Sequence, residues 1–171
     1  MNAMEPLLKK IGSRFTRRNY YMATAESCTG GLLGYYLTAL PGASEFYLGG
    51  MIAYSNDLKM NLLDVPQEIF NAYGAVSKQT VKAMARGIRM SFAVKHNSRQ
   101  IIGLSISGIA GPSGGTPEKP VGTVCIGISI KGSEIAYCYQ FDGSRNDVRK
   151  ESARRALELL ECKTENVSVY K

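Results

Sequence analysis

The segment that most constrains the fold covers residues 20–37, where a strand pattern gives way to a helix pattern. Residues 20–26 have the composition of a short buried strand, and residues 30–39 that of a helix that stops before a Pro-Gly pair. A strand that leads directly into a helix is typical of sheets covered by helices. Ser27 therefore lies at the point where a strand ends and a helix begins.

The rest of the chain continues this alternation. Apolar residues at helical spacing predict a first helix over residues 4–18 and further helices over 57–63 (capped by Asn56), 66–73, 78–94 (capped by Ser77) and 147–160. Strand composition predicts strands over 46–54, 101–106, 121–130 and 134–141, the last two joined as a hairpin through residues 131–133. We predict an α/β fold, a three-layer α/β/α arrangement with a mixed sheet of about five strands. Residues 1–171 form a single predicted domain.

Composition excludes several classes of protein. No apolar run reaches the ~18 residues of a membrane span, and the N-terminus lacks a signal-peptide pattern. The four cysteines show no C-x-x-C pair, which favours reduced thiols and a cytoplasmic location over a zinc site or disulfides. His96 is the only histidine and lies in a polar connection, so we predict that it is solvated. Any catalysis must then proceed without a histidine base.

The net charge of +7 suits a phosphate-bearing partner. The basic residues are dispersed, however, and are not interleaved with aromatic residues as in proteins that bind single strands. This distribution favours solvated helix faces, so we predict a small-molecule partner rather than nucleic acid or a membrane.

Three segments, 26–31, 54–59 and 107–116, are predicted to meet at the carboxyl ends of neighbouring strands, where ligands of open α/β sheets bind. The first of them ends at a helix N-terminus, where backbone amides lack partners inside the helix. Gly30 and Gly31 would let a ligand approach that backbone, which predicts an anion or oxyanion site with Ser27, Cys28 and Thr29 at its mouth.

Lys59 is the candidate base. It lies in the first turns of a predicted helix and its side chain leans toward the N-terminus, where the helix dipole and burial both favour the neutral amine. A neutral lysine can activate Ser27 without a histidine. The alternative is an exposed, inert lysine, and the separation from Ser27 differs from the local S-x-x-K pattern. Two further alternatives stay open: Cys28 as nucleophile rather than a small buried residue, and residues 108–116 as a flexible surface loop rather than a phosphate nest.

Four motifs are similar to those of one family. They are Ala25-Glu26-Ser27-Cys28-Thr29-Gly30-Gly31, Gly50-x-x-x-Tyr54-Ser55-Asn56-x-x-Lys59, Gly74-Ala75-Val76-Ser77, and the stretch from Ser107 through Gly115 to Thr123. In this order, over roughly residues 5–160, they closely resemble the CinA C-terminal domain family. The resemblance implies an amidohydrolase of the PncC type, which converts nicotinamide mononucleotide and water to nicotinic acid mononucleotide and ammonia.

Carried onto matching positions, the resemblance makes Ser27 the nucleophile and Lys59 its base, with Tyr54 assisting. The residues it implies for substrate binding are Cys28, Thr29, Gly30, Gly31, Ser107, Gly111, Gly114 and Arg145, the last as a phosphate partner. No metal and no cofactor are required.

Two other functions remain as alternatives. One is a non-catalytic nucleotide-binding or interaction module linked to competence or the DNA damage response, and the other is direct DNA binding. For the quaternary structure, Tyr35, Tyr36 and Tyr47 are predicted to be exposed and to suit the surface of a homodimer.

Overall fold

The computed structural model describes residues 4–94, 96–165 and 167 of the chain. The helices in this part are α1 (Glu5–Arg18), α2 (Leu32–Thr38), α3 (Asn56–Leu63), α4 (Gln67–Tyr73), α5 (Lys78–Ser91) and α6 (Arg145–Thr164). The strands are β1 (Tyr21–Glu26), β2 (Tyr47–Ile52), β3 (Ile101–Gly108), β4 (Thr123–Ile130) and β5 (Ser133–Gln140). A short 3-10 helix, Ala43–Glu45, precedes β2. No helix among these residues is both long and apolar enough to cross a membrane.

The five strands form one mixed sheet in the order β2-β1-β3-β4-β5. β1 runs parallel to both β2 and β3, while β4 is antiparallel to β3 and to β5. The predicted hairpin between β4 and β5 is confirmed, with Lys131 and Gly132 both at positive φ in its turn. Because β1, β2 and β3 are parallel, their carboxyl ends lie at the same edge of the sheet.

Helices cover both faces of the sheet. α1, α2 and α6 pack on one face around a core that includes Phe15, Leu37 and Leu104. α5 lies on the other face, with α3 and α4 packed against it, and this core includes Met84 and Ile88. The predicted three-layer α/β/α architecture is therefore confirmed.

The contact between α5 and the sheet depends on small residues in β3 and β4. A Cβ atom on Gly103 would lie 2.0 Å from the carbonyl oxygen of Ala85, and one on Gly127 would lie 2.4 Å from that of Val81. Ser105, which pairs directly with Gly127, donates from its hydroxyl to the Val81 carbonyl at 2.6 Å. This close approach brings the turn before α5 next to the carboxyl end of β3.

Two cysteines differ from the prediction. Cys125 and Cys138 are joined by a disulfide, whereas Cys28 and Cys162 are free. The prediction of four reduced thiols is wrong for this pair because the register of β4 and β5 places the two residues directly opposite each other. That register depends on the hairpin turn, and spacing along the sequence does not reveal it.

The predicted aromatic surface is only partly exposed. Tyr35 is exposed, as predicted, but Tyr36 and Tyr47 are half-buried and pack against the core of α1, α2 and α6. The Tyr47 hydroxyl is also hydrogen-bonded to the Thr24 hydroxyl at 2.7 Å. The prediction is wrong for these two tyrosines, because side chains at the start of β2 and inside α2 face the core.

Candidate active site

A cavity of about 260 Å³ opens at the carboxyl edge of β1, β2 and β3. Its walls come from the turn after β1, the start of α3, the turn before α5, the loop after β3 and the first residue of α6. The lining residues are Ser27, Cys28, Tyr54, Asn56, Lys59, Ala75, Val76, Ser107, Gly108, Ile109, Ala110, Gly111, Ser113, Gly114 and Arg145. The three segments predicted to meet therefore do so.

Ser27 follows β1 directly and is held by the backbone on both sides. Its amide donates to the carbonyl of Ile106 in β3 at 3.0 Å, which extends the pairing of the two strands by one residue. Its carbonyl accepts from the Gly30 amide at 3.1 Å, closing a tight turn. The residue is 7% exposed. These contacts fix the backbone that carries the Ser27 hydroxyl.

Lys59 is buried at the start of α3, with only 2% of its surface exposed. Its Nζ atom donates to the carbonyls of Tyr54 at 3.1 Å and Ser55 at 3.4 Å, so the side chain does lean toward the helix N-terminus. Within the described part of the chain it forms no ion pair with a carboxylate. Burial lowers the pKa of Lys59 and outweighs the opposing effect of nearby Cys28. This environment favours the neutral amine.

Ser27 and Lys59 line the same cavity. No hydrogen bond joins the serine hydroxyl to the lysine amine in the described structure, where the amine is bonded to the two backbone carbonyls. Hydrogen bonds between catalytic groups are often long or absent before substrate binds. The two residues thus share one cavity at the carboxyl edge of the sheet.

Cys28 lies beside Ser27, and its thiol is the other potential nucleophile at this end of β1. Burial, reinforced by the charge of Glu26, raises the pKa of the Cys28 thiol to about 12. The thiol is therefore protonated near neutral pH, and a protonated thiol is a poor nucleophile. The reactive thiolate form of Cys28 is therefore disfavoured at this site.

Arg145 connects two other predicted parts of the site. Its guanidinium donates to the Tyr54 hydroxyl at 2.9 Å and to the carbonyl of Gly111 at 2.5 Å. Arg145 is the first residue of α6, which Ser144 and Asp147 cap through a capping box. The arginine thus joins the start of α6 to the cavity loop and to the strand end that carries Tyr54.

The loop after β3 is anchored rather than loose. The Ser107 hydroxyl donates to the carbonyl of Ala75 at 2.8 Å, and Lys119 Nζ donates to the carbonyl of Tyr73 at 2.7 Å. Gly111 and Gly114 both line the cavity. The segment is thus tied at its two ends to Ala75 and Tyr73, while residues 112–118 between them are exposed.

Three predicted binding residues, Thr29, Gly30 and Gly31, do not line the cavity. The amide of Gly31 donates to the carboxylate of Glu26 at 3.0 Å, and the amide of Gly30 is used by Ser27. The helix N-terminus predicted to receive an anion is therefore filled by a carboxylate of the chain itself. Among residues 27–31, only the amides of Cys28 and Thr29 make no hydrogen bond to another described residue, and of these two residues Cys28 lines the cavity.

Sequence reasoning also missed Asn56 as a lining residue. Asn56 was predicted to cap α3, but the cap is Ser55, whose hydroxyl accepts from the Leu58 amide at 3.2 Å. The amide side chain of Asn56 is thereby left to line the cavity. Its position between Tyr54 and Lys59 was the signal that could have identified it.

Comparison with known proteins gives the family. Residues 4–164 match the sequence profile described as the CinA C-terminal domain. The chain belongs to this family. A CinA-like protein of Gemmatimonas aurantiaca is 46% identical over 148 residues, which cover 86% of this chain and 33% of that protein. A CinA-like protein of Thermotoga maritima is 48% identical over 143 residues, covering 84% and 33%.

Solved structures agree with this assignment. A competence or damage-inducible protein from Enterobacter asburiae superposes with a TM-score of 0.84 at 36% identity, covering 92% of this chain and 95% of that one. A competence damage-inducible protein A from Klebsiella pneumoniae gives a TM-score of 0.88 at 31% identity, covering 95% and 98%. This CinA-family chain spans about a third of the length of the curated relatives it matches.

Proposed function

We propose that this CinA-family protein is an amidohydrolase that converts nicotinamide mononucleotide and water into nicotinic acid mononucleotide and ammonia. The observation that carries the proposal is the buried Lys59 amine, which shares a cavity with Ser27 and has no carboxylate partner among the described residues. Family membership and the four sequence motifs support the choice of substrate.

In the first step the neutral amine of Lys59 takes the proton of the Ser27 hydroxyl as Oγ attacks the carboxamide carbon. The carbonyl oxygen of the substrate becomes an oxyanion. The amide of Cys28 lies on a cavity-lining residue and makes no hydrogen bond to another described residue, so it is the candidate to bind the oxyanion. Losing one such donor typically costs ~10²–10³-fold in rate.

In the second step the Lys59 ammonium gives its proton to the departing nitrogen and ammonia leaves. An ester between the Ser27 oxygen and the substrate carbonyl remains. Lys59, again neutral, then takes a proton from water as the water attacks this ester, and the acid product is released with Ser27 restored.

The phosphate of the substrate is placed on the side of the cavity formed by Arg145 and residues 111–114. Two of the N–H groups of Arg145 are used within the protein, and a guanidinium carries five. The remaining donors provide charge-assisted hydrogen bonds to a phosphate. The N-terminus of α2 is unsuitable for the phosphate because the carboxylate of Glu26 already occupies it.

The test is to incubate the purified protein with nicotinamide mononucleotide and measure ammonia. Ser27→Ala and Lys59→Ala should each abolish turnover while circular dichroism shows an intact fold. Ser133→Ala and Lys82→Ala, at exposed positions outside the cavity, are the matched controls and should remain active. Turnover that persists in both site variants would remove these two residues from their assigned roles. Binding of the nucleotide by the wild type without ammonia release would favour the non-catalytic module.

A further inference from the structure

Glu26 is a buried carboxylate with an unusual set of partners. It is 2% exposed, and both oxygens accept from backbone amides at the start of α2. Oε2 accepts from Gly31 and Leu33 at 3.0 Å each, and Oε1 accepts from Gly34 at 2.8 Å. Within the described structure no lysine or arginine forms an ion pair with it. The carboxylate is thus held by the amides alone.

The backbone of the same residue is fixed in the sheet. The carbonyl of Glu26 accepts from the Ala53 amide at 2.8 Å, and the next amide, that of Ser27, donates to Ile106 at 3.0 Å. One residue is therefore bound to the neighbouring strands through its backbone and to the first turn of α2 through its side chain. The turn carrying Ser27 lies between these two attachments.

We infer that Glu26 is a positioning residue, which holds the turn of residues 27–31 so that the Ser27 hydroxyl and the backbone amide of Cys28 keep their relative placement. This inference rests on the proposed function. A carboxylate suits the task because it accepts several amide hydrogen bonds at once, and because its charge is favourable at a helix N-terminus. Without the carboxylate, the amides of Gly31, Leu33 and Gly34 would need water as their acceptor. The side-chain connection between the end of β1 and the start of α2 would also be lost.

The first variant is Glu26→Ala. Displacing a reacting group by about 1 Å can cost ~10²-fold in rate, so kcat for ammonia release should fall by that order while KM changes little. The substitution removes the atoms of one acetate ion, so added acetate should restore much of the lost kcat and added chloride should not. Glu161→Ala is the matched control, because Glu161 is a largely buried carboxylate bonded to Arg14 away from the cavity. It should leave kcat unchanged and gain nothing from acetate.

The second variant, Glu26→Gln, keeps the side-chain volume in case the alanine variant does not fold. The glutamine amide turns an N–H group toward backbone amides that need an acceptor, so kcat should fall. Added acetate should have no effect, because the glutamine side chain fills the space that acetate would occupy. Wild-type kcat in folded Glu26→Gln would overturn the inference. So would a loss in Glu26→Ala that appears in KM alone, or one that acetate fails to restore.

A labelling assay that does not use the nucleotide tests the positioning role of Glu26 separately from the proposed substrate. The rate at which a fluorophosphonate labels Ser27, located by peptide mass spectrometry, should fall in both Glu26 variants. Wild-type protein that is labelled at Ser27 but releases no ammonia from the mononucleotide would reject the substrate alone. Equal labelling rates in wild type and both variants would reject the positioning role alone.

Discussion

Replacing Lys59 by methionine tests whether burial in the folded protein favours the neutral form of the Lys59 amine. In the folded protein burial lowers the pKa of Lys59 from its ordinary value of 10.5, so between the lowered pKa and 10.5 the unfolded chain binds more protons than the folded chain. The free energy of unfolding of the wild type must then rise with pH across this window. Below the window the full cost of burying the charged amine is present, and above it the cost is gone.

The size of the effect follows from linkage. One proton of difference between the two states gives a slope of at most about 1.4 kcal/mol per pH unit. Methionine has a similar length and no charge, so Lys59→Met loses this slope. It also loses the two hydrogen bonds to Tyr54 and Ser55, worth about 0.5–1.5 kcal/mol each. The exposed positions of both residues allow water to replace the lysine at those carbonyls.

The assay is urea unfolding of both proteins at a series of pH values from 6 to about 10.5, the unperturbed lysine pKa. We subtract the free energy of unfolding of the wild type from that of Lys59→Met. This difference should be largest at low pH, where the variant gains most stability relative to the wild type, and should decrease as pH rises through the window. Lys82→Met, which removes an exposed lysine of α5, measures the effect of losing one surface charge. A Lys59→Met difference that stays constant over the whole range would refute the reasoning, because it would mean that folding does not alter the protonation of Lys59.

Three further predictions concern other parts of the molecule. Arg145→Ala should raise KM for the mononucleotide roughly 10–100-fold, the equivalent of one charge-assisted hydrogen bond, with a smaller effect on kcat; Arg154→Ala on the outer face of α6 is the control, and an equal effect of both variants would contradict the phosphate site. Cys28→Ser should keep most of the turnover, because Ser27 is the proposed nucleophile and burial disfavours the Cys28 thiolate; complete inactivation of a folded variant would show otherwise. Gly103→Ala should lower the free energy of unfolding by about 3 kcal/mol or more, because its Cβ would lie 2.0 Å from the backbone oxygen of Ala85. Gly132→Ala, in open space at positive φ, should cost only about 1–2 kcal/mol. Urea unfolding compares the two, and a cost of Gly103→Ala no larger than that of Gly132→Ala would contradict the close packing of α5.

The parts of the fold that the sequence predicts are those set by local patterns. Strand composition identified every strand of the sheet, and Ser77 caps α5 as predicted, accepting from the Thr80 amide at 3.1 Å. The meeting of residues 26–31, 54–59 and 107–116 was also predictable, because parallel neighbours end at one edge. Local sequence patterns thus predict the strands, the cap of α5 and the position of the cavity.

The errors concern choices between equivalent local partners. Ser55 and Asn56 are both good caps, and the structure uses the serine, which leaves the amide of Asn56 for the cavity. Glu26 is the last residue of β1, and its side chain folds back onto amides five to eight residues later, a contact that the strand pattern does not indicate. The pairing of Cys125 with Cys138 depends on strand register. Such outcomes follow from tertiary geometry, which a pattern of residue types does not specify.

The most direct measurement is to quench the protein during turnover of nicotinamide mononucleotide and map covalent adducts by peptide mass spectrometry. We expect the acyl group of the substrate on Ser27, and we expect it to be absent in both Ser27→Ala and Lys59→Ala. Ammonia release with an adduct on Cys28, or with undiminished turnover after loss of the Ser27 hydroxyl, would contradict a serine nucleophile activated by Lys59.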